Sequence, residues 1–335
     1  QTSRYSTVEA RREILIRDLF RHTSGIAYPA VFSDPTMWKI YEDAGIPSGI
    51  GTTQSTLEKE MEHLAAMPLM QQPGEAFTYG LNIDLLGYLV EIWSGQPLNV
   101  FMRERVFEPL QMDDTWFYLP DDKHDRLVEL YEINNNGDLV PVNHPIYDGT
   151  EKDFPKMKGT YFSGGAGLSS IANDLANFYT MYLNKGVFKG ERILASSTVN
   201  LLLENQLEEN VEVSPLSPQP ANFRFSHGGF AIETGKNDYL SPRARGAFGW
   251  GGAFNTHGWA DPHHGLIGIL LTQEYLSPHY TIGREFRNAV YQFWVNCNPH
   301  FAWLLWRTIG NGWQHSKGRL NIETSRFCSP CGIQK

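Results

Sequence analysis

The sequence predicts an α/β protein of the α+β kind, with an antiparallel sheet flanked by helices and a mainly helical subdomain. Three observations carry this. Helical periodicity dominates the middle of the chain, it gives way to strand-like runs after about residue 222, and an amphipathic helix follows the strands. The expected body covers residues 1–297, with the helical subdomain over roughly 26–205 and the sheet region over roughly 206–297. Residues 298–335 form an atypical tail.

Taken in order, "REILIRDLF" offers Leu15, Ile16, Leu19 and Phe20 as a short apolar face, and "RHTSG" turns the chain. A Pro-, Gly-, Ser- and Thr-rich stretch over 26–56 reads as a long loop with short helical pieces. "TLEKEMEHLAAMPL" is helical up to Pro68, and "QQPGEAFTYG" returns the chain to a surface cleft. From Ile83, Leu86, Val90 and Trp93, with Leu85 and Leu89 beside them, follow the 3.6-residue period until Gly95 and Pro97 end it. A second short helix is expected over 98–107. "LVELYEI" and "NNNGD" read as a hairpin arm and its turn. Another helix begins after Ser170, a candidate N-cap, and "SSTVNLLLENQ" is helical again. "SPLSPQPAN" is a flexible or polyproline-like loop. Three strands are then expected in "FRFSHGGFAIE", "AFGWGGAF" and "GLIGILLTQ", followed by a helix with Ile282, Phe286, Ala289, Val290 and Phe293 on one face.

Composition limits the function classes. The 335 residues are 41% hydrophobic, enough for a substantial core, and 28 basic against 37 acidic residues leave a formal charge of -9. That balance, without a basic run, argues against nucleic acid as a partner. No run reaches the ~18 consecutive apolar residues of a spanning helix, so no transmembrane segment is expected. The polar start "QTSRYSTVEARREI" shows no signal-peptide pattern, which tilts the expected compartment toward the cytoplasm without fixing it. All three cysteines, Cys297, Cys328 and Cys331, lie late, so the body folds without disulfides. "CSPC" reads as free thiols or an incidental disulfide before a redox or metal site. The tail either docks through Trp303 and Trp306 or does not belong to the ancestral domain.

Two places carry candidate chemistry. A tyrosine delivered by a loop into a helix, Tyr79, can activate a hydroxyl if its phenolate is stabilised, usually by a cation. A glycine-rich strand, "FGWGGAFNTHGWADP", lets a substrate lie against the main chain; a bulge explains Gly251 and Gly252 as well. His257, Asp261, His263 and His264 invite a metal reading, but the adjacent histidines point apart in a strand and "ADPHHG" is turn-like. No metal or other cofactor is expected. G-x-S-x-G, H-E-x-x-H, G-x-G-x-x-G and P-loop signatures are missing from the sequence.

Four stretches, "IRDLFRHTSGI", "QQPGEAFTYGLNIDLLGYLVEIWSGQPLNVFMRERVFEPLQMDDTWF", "SGGAGLSSIANDLANFYTMYLNKGVFKGERIL" and "FGWGGAFNTHGWADPHHGLIGILLTQ", together resemble the serine beta-lactamase-like hydrolases. That group holds class C beta-lactamases, D-alanyl-D-alanine carboxypeptidases and family VIII carboxylesterases. The likeness runs in order from about Ile16 to Phe293. It implies a beta-lactamase/transpeptidase-like fold, Tyr79 as the catalytic tyrosine, and Trp250, Gly251 and Gly252 as the strand lining the acyl pocket. Tryptophan-glycine-glycine in place of lysine-threonine-glycine points to the esterase branch. Asn82 stands one place later than the asparagine of the beta-lactamase triplet and is the remaining substrate-binding candidate. Asn255, before Thr256, departs from the glycine common in relatives and would narrow the cleft or move its loop.

The family's first element, a serine followed three residues later by lysine, is missing from these 335 residues. Thr56 to Lys59 has the spacing with the wrong hydroxyl in the wrong place, and "YLN" at Tyr182 reads as packing. The expectation is a serine hydrolase-like protein for small ester or amide substrates, inactive in this form because N-terminal elements are lacking. The alternative is a catalytically dead scaffold or binding protein that keeps the cleft. Self-association, or the aromatic tail, would then cover the faces left by the missing helix.

Overall fold

The computed structural model describes residues 5–29, 34–209, 211–213, 224–234, 242–276 and 281–297. Two compact units divide the chain, residues 1–290 and 291–335. The tail, with Trp303, Trp306, Cys328 and Cys331, lies outside the described residues, as does the whole "SPLSPQPAN" loop.

The first helices are short: α1 (Ile16–Phe20), α2 (Pro35–Asp43) and α3 (Leu57–Ala65). Helix α1 departs from the expected apolar face. Leu19 is buried, but Leu15 and Ile16 are exposed, and the other buried residue is Asp18, which holds Arg12 at 2.6 Å. Helix α2 starts on Asp34, whose carboxylate accepts the Thr36 N–H at 2.7 Å, with Pro35 in the first turn, where a missing N–H costs nothing. Thr56 caps α3: its Oγ1 accepts the Lys59 N–H at 3.2 Å. The Thr-x-x-Lys spacing is therefore a helix-cap spacing.

Strand β1 (Ala76–Phe77) leads through Tyr79 into α4 (Asn82–Ser94). Gly95, at φ +68°, ends α4 and returns its N–H to Glu91 O at 2.9 Å. The inward face of α4 differs from the expected one: Asn82, Asp84 and Gly87 are buried, whereas Trp93 is 63% exposed. Helix α5 (Leu98–Met102) continues as a single π-helical turn over Arg103–Phe107, an irregularity that the pattern over 98–107 does not reveal.

Strands β2 (Tyr131–Ile133) and β3 (Leu139–Pro141) make the expected hairpin, with Gly137 at φ +86° in its turn. Helix α6 (Ala172–Leu183) begins one residue later than expected, after Ile171; Ser170 instead meets the Thr115 hydroxyl at 2.7 Å. Strands β4 (Val187–Phe188) and β5 (Glu191–Arg192), then α7 (Ser196–Leu203), lead to β6 (Glu212–Val213), which pairs in parallel with β1.

The main sheet is antiparallel, with β7 (Ala231–Ile232), β8 (Phe248–Gly252), β9 (Thr256–Asp261) and β10 (Leu266–Leu270) in the order β10-β9-β8-β7. Strand β9 is the second half of the glycine-rich stretch read as one strand from the sequence; the left-handed turn at Asn255 divides that stretch into β8 and β9. Helix α8 (Ile282–Cys297) follows. Phe248 and Ala260 of the sheet pack with Tyr179, Tyr182 and Phe230 in one core cluster; Tyr182 is thus packing, as its helical period indicates. A second cluster, around Leu19, Tyr28, Tyr41, Met61 and Leu81, lies under α4.

Candidate active site

Strand β8 carries the glycine-rich run without a bulge. Each residue from Phe248 to Gly252 has one partner on β9, ending Gly251 with His257 and Gly252 with Thr256. Gly249 is required by the neighbouring strand, since a Cβ there would stand 2.3 Å from Gly258 O. Gly251 and Gly252 are exposed and line a cavity of about 1330 Å³, together with Trp250, Tyr79, Tyr28 and Gly165. Asn255 closes the β8–β9 hairpin in the left-handed region, φ +62°, and its amide oxygen meets His257 Nε2 at 2.8 Å. It does not line the cavity, so it does not narrow the cleft.

Tyr79 stands across from that strand. Its ring centroid is 5.5 Å from that of Trp250, 5.2 Å from Tyr28 and 4.8 Å from His22. Gly80 fixes the approach, since a Cβ there would lie 2.2 Å from Ile26 O. Two donors reach the Tyr79 oxygen, the Trp250 indole N–H and the Tyr28 hydroxyl, and both favour its phenolate. Burial outweighs them, and the charge of Asp84 adds to it, so the Tyr79 pKa rises. A phenol held this way is a proton donor at neutral pH until a cation is brought to it.

Asn82 falls elsewhere. It is fully buried and ties the preceding loop: its amide oxygen accepts the Ser24 hydroxyl at 2.5 Å, and its Nδ2 donates to His22 Nδ1 at 3.1 Å and Ile26 O at 3.4 Å. It does not line the cavity. Because Nδ2 can only donate, His22 Nδ1 is an acceptor, leaving the neutral ring's proton on Nε2. Burial pulls the His22 pKa down to about 3, so the imidazole stays neutral beside Tyr79.

Two residues of this centre were not singled out in the sequence, Tyr28 and Asp84. Asp84 is fully buried in the first turn of α4; its Oδ1 accepts Ser163 Oγ at 2.6 Å and the Tyr161 hydroxyl at 3.2 Å. Burial raises its pKa to about 6, against those two hydrogen bonds. A carboxylate in the apolar run "LNIDLLGYLV" was the available signal, since acidic residues are seldom fully buried. Tyr28 had no such signal, because only the tertiary fold brings it to Tyr79.

The histidines of the β9–β10 turn are held by turn chemistry. Asp261 accepts the backbone N–H of His263 at 2.9 Å and of His264 at 3.1 Å, and meets the His264 ring at 2.9 Å. Among the described residues no group of three or more His, Cys, Asp or Glu could hold a metal ion, and no helix is long and apolar enough to cross a membrane.

Comparison with known proteins agrees with this geometry. The Beta-lactamase family model matches residues 3–291. An uncharacterized Mycobacterium tuberculosis protein, MT1414, is 31% identical over 271 residues, 80% of this chain and 64% of its own length, so the chain spans somewhat under two thirds of that relative. Esterase EstB of Burkholderia gladioli is 28% identical over 296 residues, 83% of this chain and 69% of its own. Among solved structures, EstCE1, described as a hydrolase with promiscuous acyltransferase activity, superposes with a TM-score of 0.70 at 27% identity, covering 83% of this chain and 72% of its own. The fold is beta-lactamase/transpeptidase-like, and the chain belongs to the Beta-lactamase family.

Proposed function

We propose that the cavity is an acyl-transfer cleft of the esterase type for small esters or amides. Tyr79 would move the proton of an attacking hydroxyl, and Trp250, Gly251 and Gly252 would line the acyl group. The observation that carries this reading is the facing pair, Tyr79 and Trp250, in a single cavity with the open glycine strand. The flat indole at position 250 offers an apolar wall and an N–H, where a lysine would offer a cation to a substrate carboxylate. That difference favours neutral esters over beta-lactams.

We further propose that these 335 residues bind substrate without turning it over. No serine here is followed by lysine at the third position, and Tyr79 is pushed toward its protonated form. The cavity size supports the same reading. The space of about 1330 Å³ exceeds the roughly 300–1,000 Å³ of an ordinary small-molecule pocket, which leaves room beside a small ester. The Tyr79–Trp250 end is the acyl site in this reading, and the remainder is the seat of the helix that carries the nucleophile in related folds.

The test is exposure of the purified chain to a fluorophosphonate probe and to p-nitrophenyl butyrate. Expected are no mass increase and no nitrophenol release, with saturable quenching of tryptophan fluorescence by the ester that is lost in Trp250→Leu. A fluorophosphonate adduct on any hydroxyl of this chain would overturn the inactive reading. Absence of quenching would overturn the cleft itself.

A further inference from the structure

Behind the Tyr79–Tyr28 pair, and outside the cavity lining, lies a fully buried carboxylate with one satisfied oxygen. Asp84 Oδ1 takes the Ser163 and Tyr161 hydroxyls, but Oδ2 is buried and makes no hydrogen bond of normal geometry among the described residues. A buried acceptor left unmade costs free energy, so such an atom in a well-packed place calls for a cause. Its nearest polar surroundings are the Gly165 backbone N–H and the Tyr28 hydroxyl. A Cβ on Gly165 would lie 2.8 Å from Oδ2 and 2.8 Å from the Tyr28 oxygen, so both atoms border the space a side chain there would fill and are at most twice that distance apart.

The Tyr28 hydroxyl has one proton and two neighbours that act on it. It donates toward the Tyr79 oxygen, while Asp84, whose Oδ2 makes no hydrogen bond among the described residues, acts on it through charge. We propose that Asp84 is a positioning residue for Tyr79: while ionised it draws the Tyr28 hydroxyl toward itself, and while neutral it leaves that hydroxyl donating to Tyr79. This rests on the reading of Tyr79 as the proton-moving group of the cleft. Asp84 touches no substrate and acts through Tyr28.

The groups that face Asp84 are few. Ser163 and Tyr161 donate to Oδ1, the Gly165 N–H points toward the carboxylate, Tyr28 stands across Gly165, and Tyr79 and Glu60 act at longer range, Glu60 through Tyr161. Burial places the Asp84 titration near pH 6, within the range a cell reaches, and raises the phenols around it as well, further above neutrality. Asp84 is thus the group here whose charge changes near pH 6 while the phenols Tyr28, Tyr79 and Tyr161 stay neutral.

The experiment is NMR of the full chain carrying 13Cζ-labelled tyrosine, with the Tyr79 signal assigned by Tyr79→Phe. The Cζ shift reports hydrogen bonding and ionisation of the phenol directly and needs no turnover, so a chain that never acylates still tests the proposal. A step in the Tyr79 signal near pH 6 is expected in the unsubstituted chain. Asp84→Asn should abolish the step and make the Tyr79 proton roughly tenfold more acidic, about one pKa unit, and Asp84→Glu should restore the step. Gly165→Ala keeps the carboxylate but sets a methyl group between it and Tyr28, and should cut the step by more than half. A Tyr79 signal that is flat through pH 6 in the unsubstituted chain overturns the proposal even if Asp84→Asn does not fold. So does a step that Gly165→Ala leaves intact.

Discussion

At the scale of single residues, the hydroxyls of this chain that imitate catalytic spacing have structural work. Thr56 accepts the Lys59 N–H and so starts α3, and neither residue lines the cavity. Thr56→Ala should therefore cost about 1 kcal/mol of stability, Thr56→Ser should cost little, and neither should change ester binding. Urea denaturation and fluorescence titration separate these outcomes, and a loss of binding in folded Thr56→Ala would contradict the cap assignment. Trp250 does two things at once. Its ring meets Phe225 edge-on at 5.3 Å, and its N–H helps the Tyr79 oxygen. Trp250→Phe keeps the ring and removes the donor, so Tyr79 should become still less acidic while the fold persists; the 13Cζ signal of Tyr79 measures it.

At the scale of elements, strand β8 shows two uses of glycine two residues apart. Gly249 is walled in by β9, where a Cβ would press on Gly258 O and on Trp259 Cα at 2.7 Å, both backbone. Gly251 is less confined: a Cβ there would stand 3.0 Å from Thr256 O, a tight contact that a shift of a few tenths of an ångström relieves. Gly249→Ala should cost about 3 kcal/mol or more by prying β8 from β9, whereas Gly251→Ala should cost under about 1 kcal/mol and show itself chiefly in weaker ester binding. Equal losses of stability in urea would refute this division. The glycine run itself was readable in the sequence, and so was its approach to Tyr79, because the resemblance orders both motifs along the chain. The rest was hidden for physical reasons. The division of the glycine-rich stretch into β8 and β9 is set by the turn at Asn255 and by the two strands that hold β9 in the sheet, which no local pattern reports. The face of α1 was misjudged because five residues are too few for a period to decide, and an ion pair, Asp18 with Arg12, took the buried place. Asn82 was displaced from the substrate to the loop below it by contacts with residues 22–26, nearly sixty positions away.

At the scale of the whole molecule, His22 and Asp84 link folding to pH with opposite signs. His22 is held neutral, with its pKa lowered to about 3, so as pH falls below ~6.5 the unfolded chain takes a proton that the fold refuses and stability is lost. Asp84 has its pKa raised to about 6 from 3.8. Its fold-stabilising proton is fully present below the unfolded value and is lost as pH rises through about 6, a span worth about 3 kcal/mol. Between about pH 4 and pH 6 the two slopes, each about 1.4 kcal/mol per pH unit, run against one another and cancel. Asp84→Asn should uncover the histidine, giving a chain that weakens steadily toward acid relative to the parent. His22→Asn should uncover the carboxylate, giving one that strengthens toward acid by the same slope. Urea denaturation of the three chains at several pH values across this window measures both differences, and parallel profiles for parent and Asp84→Asn would show that Asp84 titrates alike in the folded and unfolded chain. Both groups bear on the same phenol, since the His22 ring lies tilted against Tyr79 at 4.8 Å and the charge of Asp84 raises the Tyr79 pKa. A fold that keeps the histidine uncharged and takes up the carboxyl proton below about pH 6 therefore keeps the surroundings of Tyr79 neutral on the acid side, and the stability profile and the Tyr79 signal should change together as Asp84 ionises.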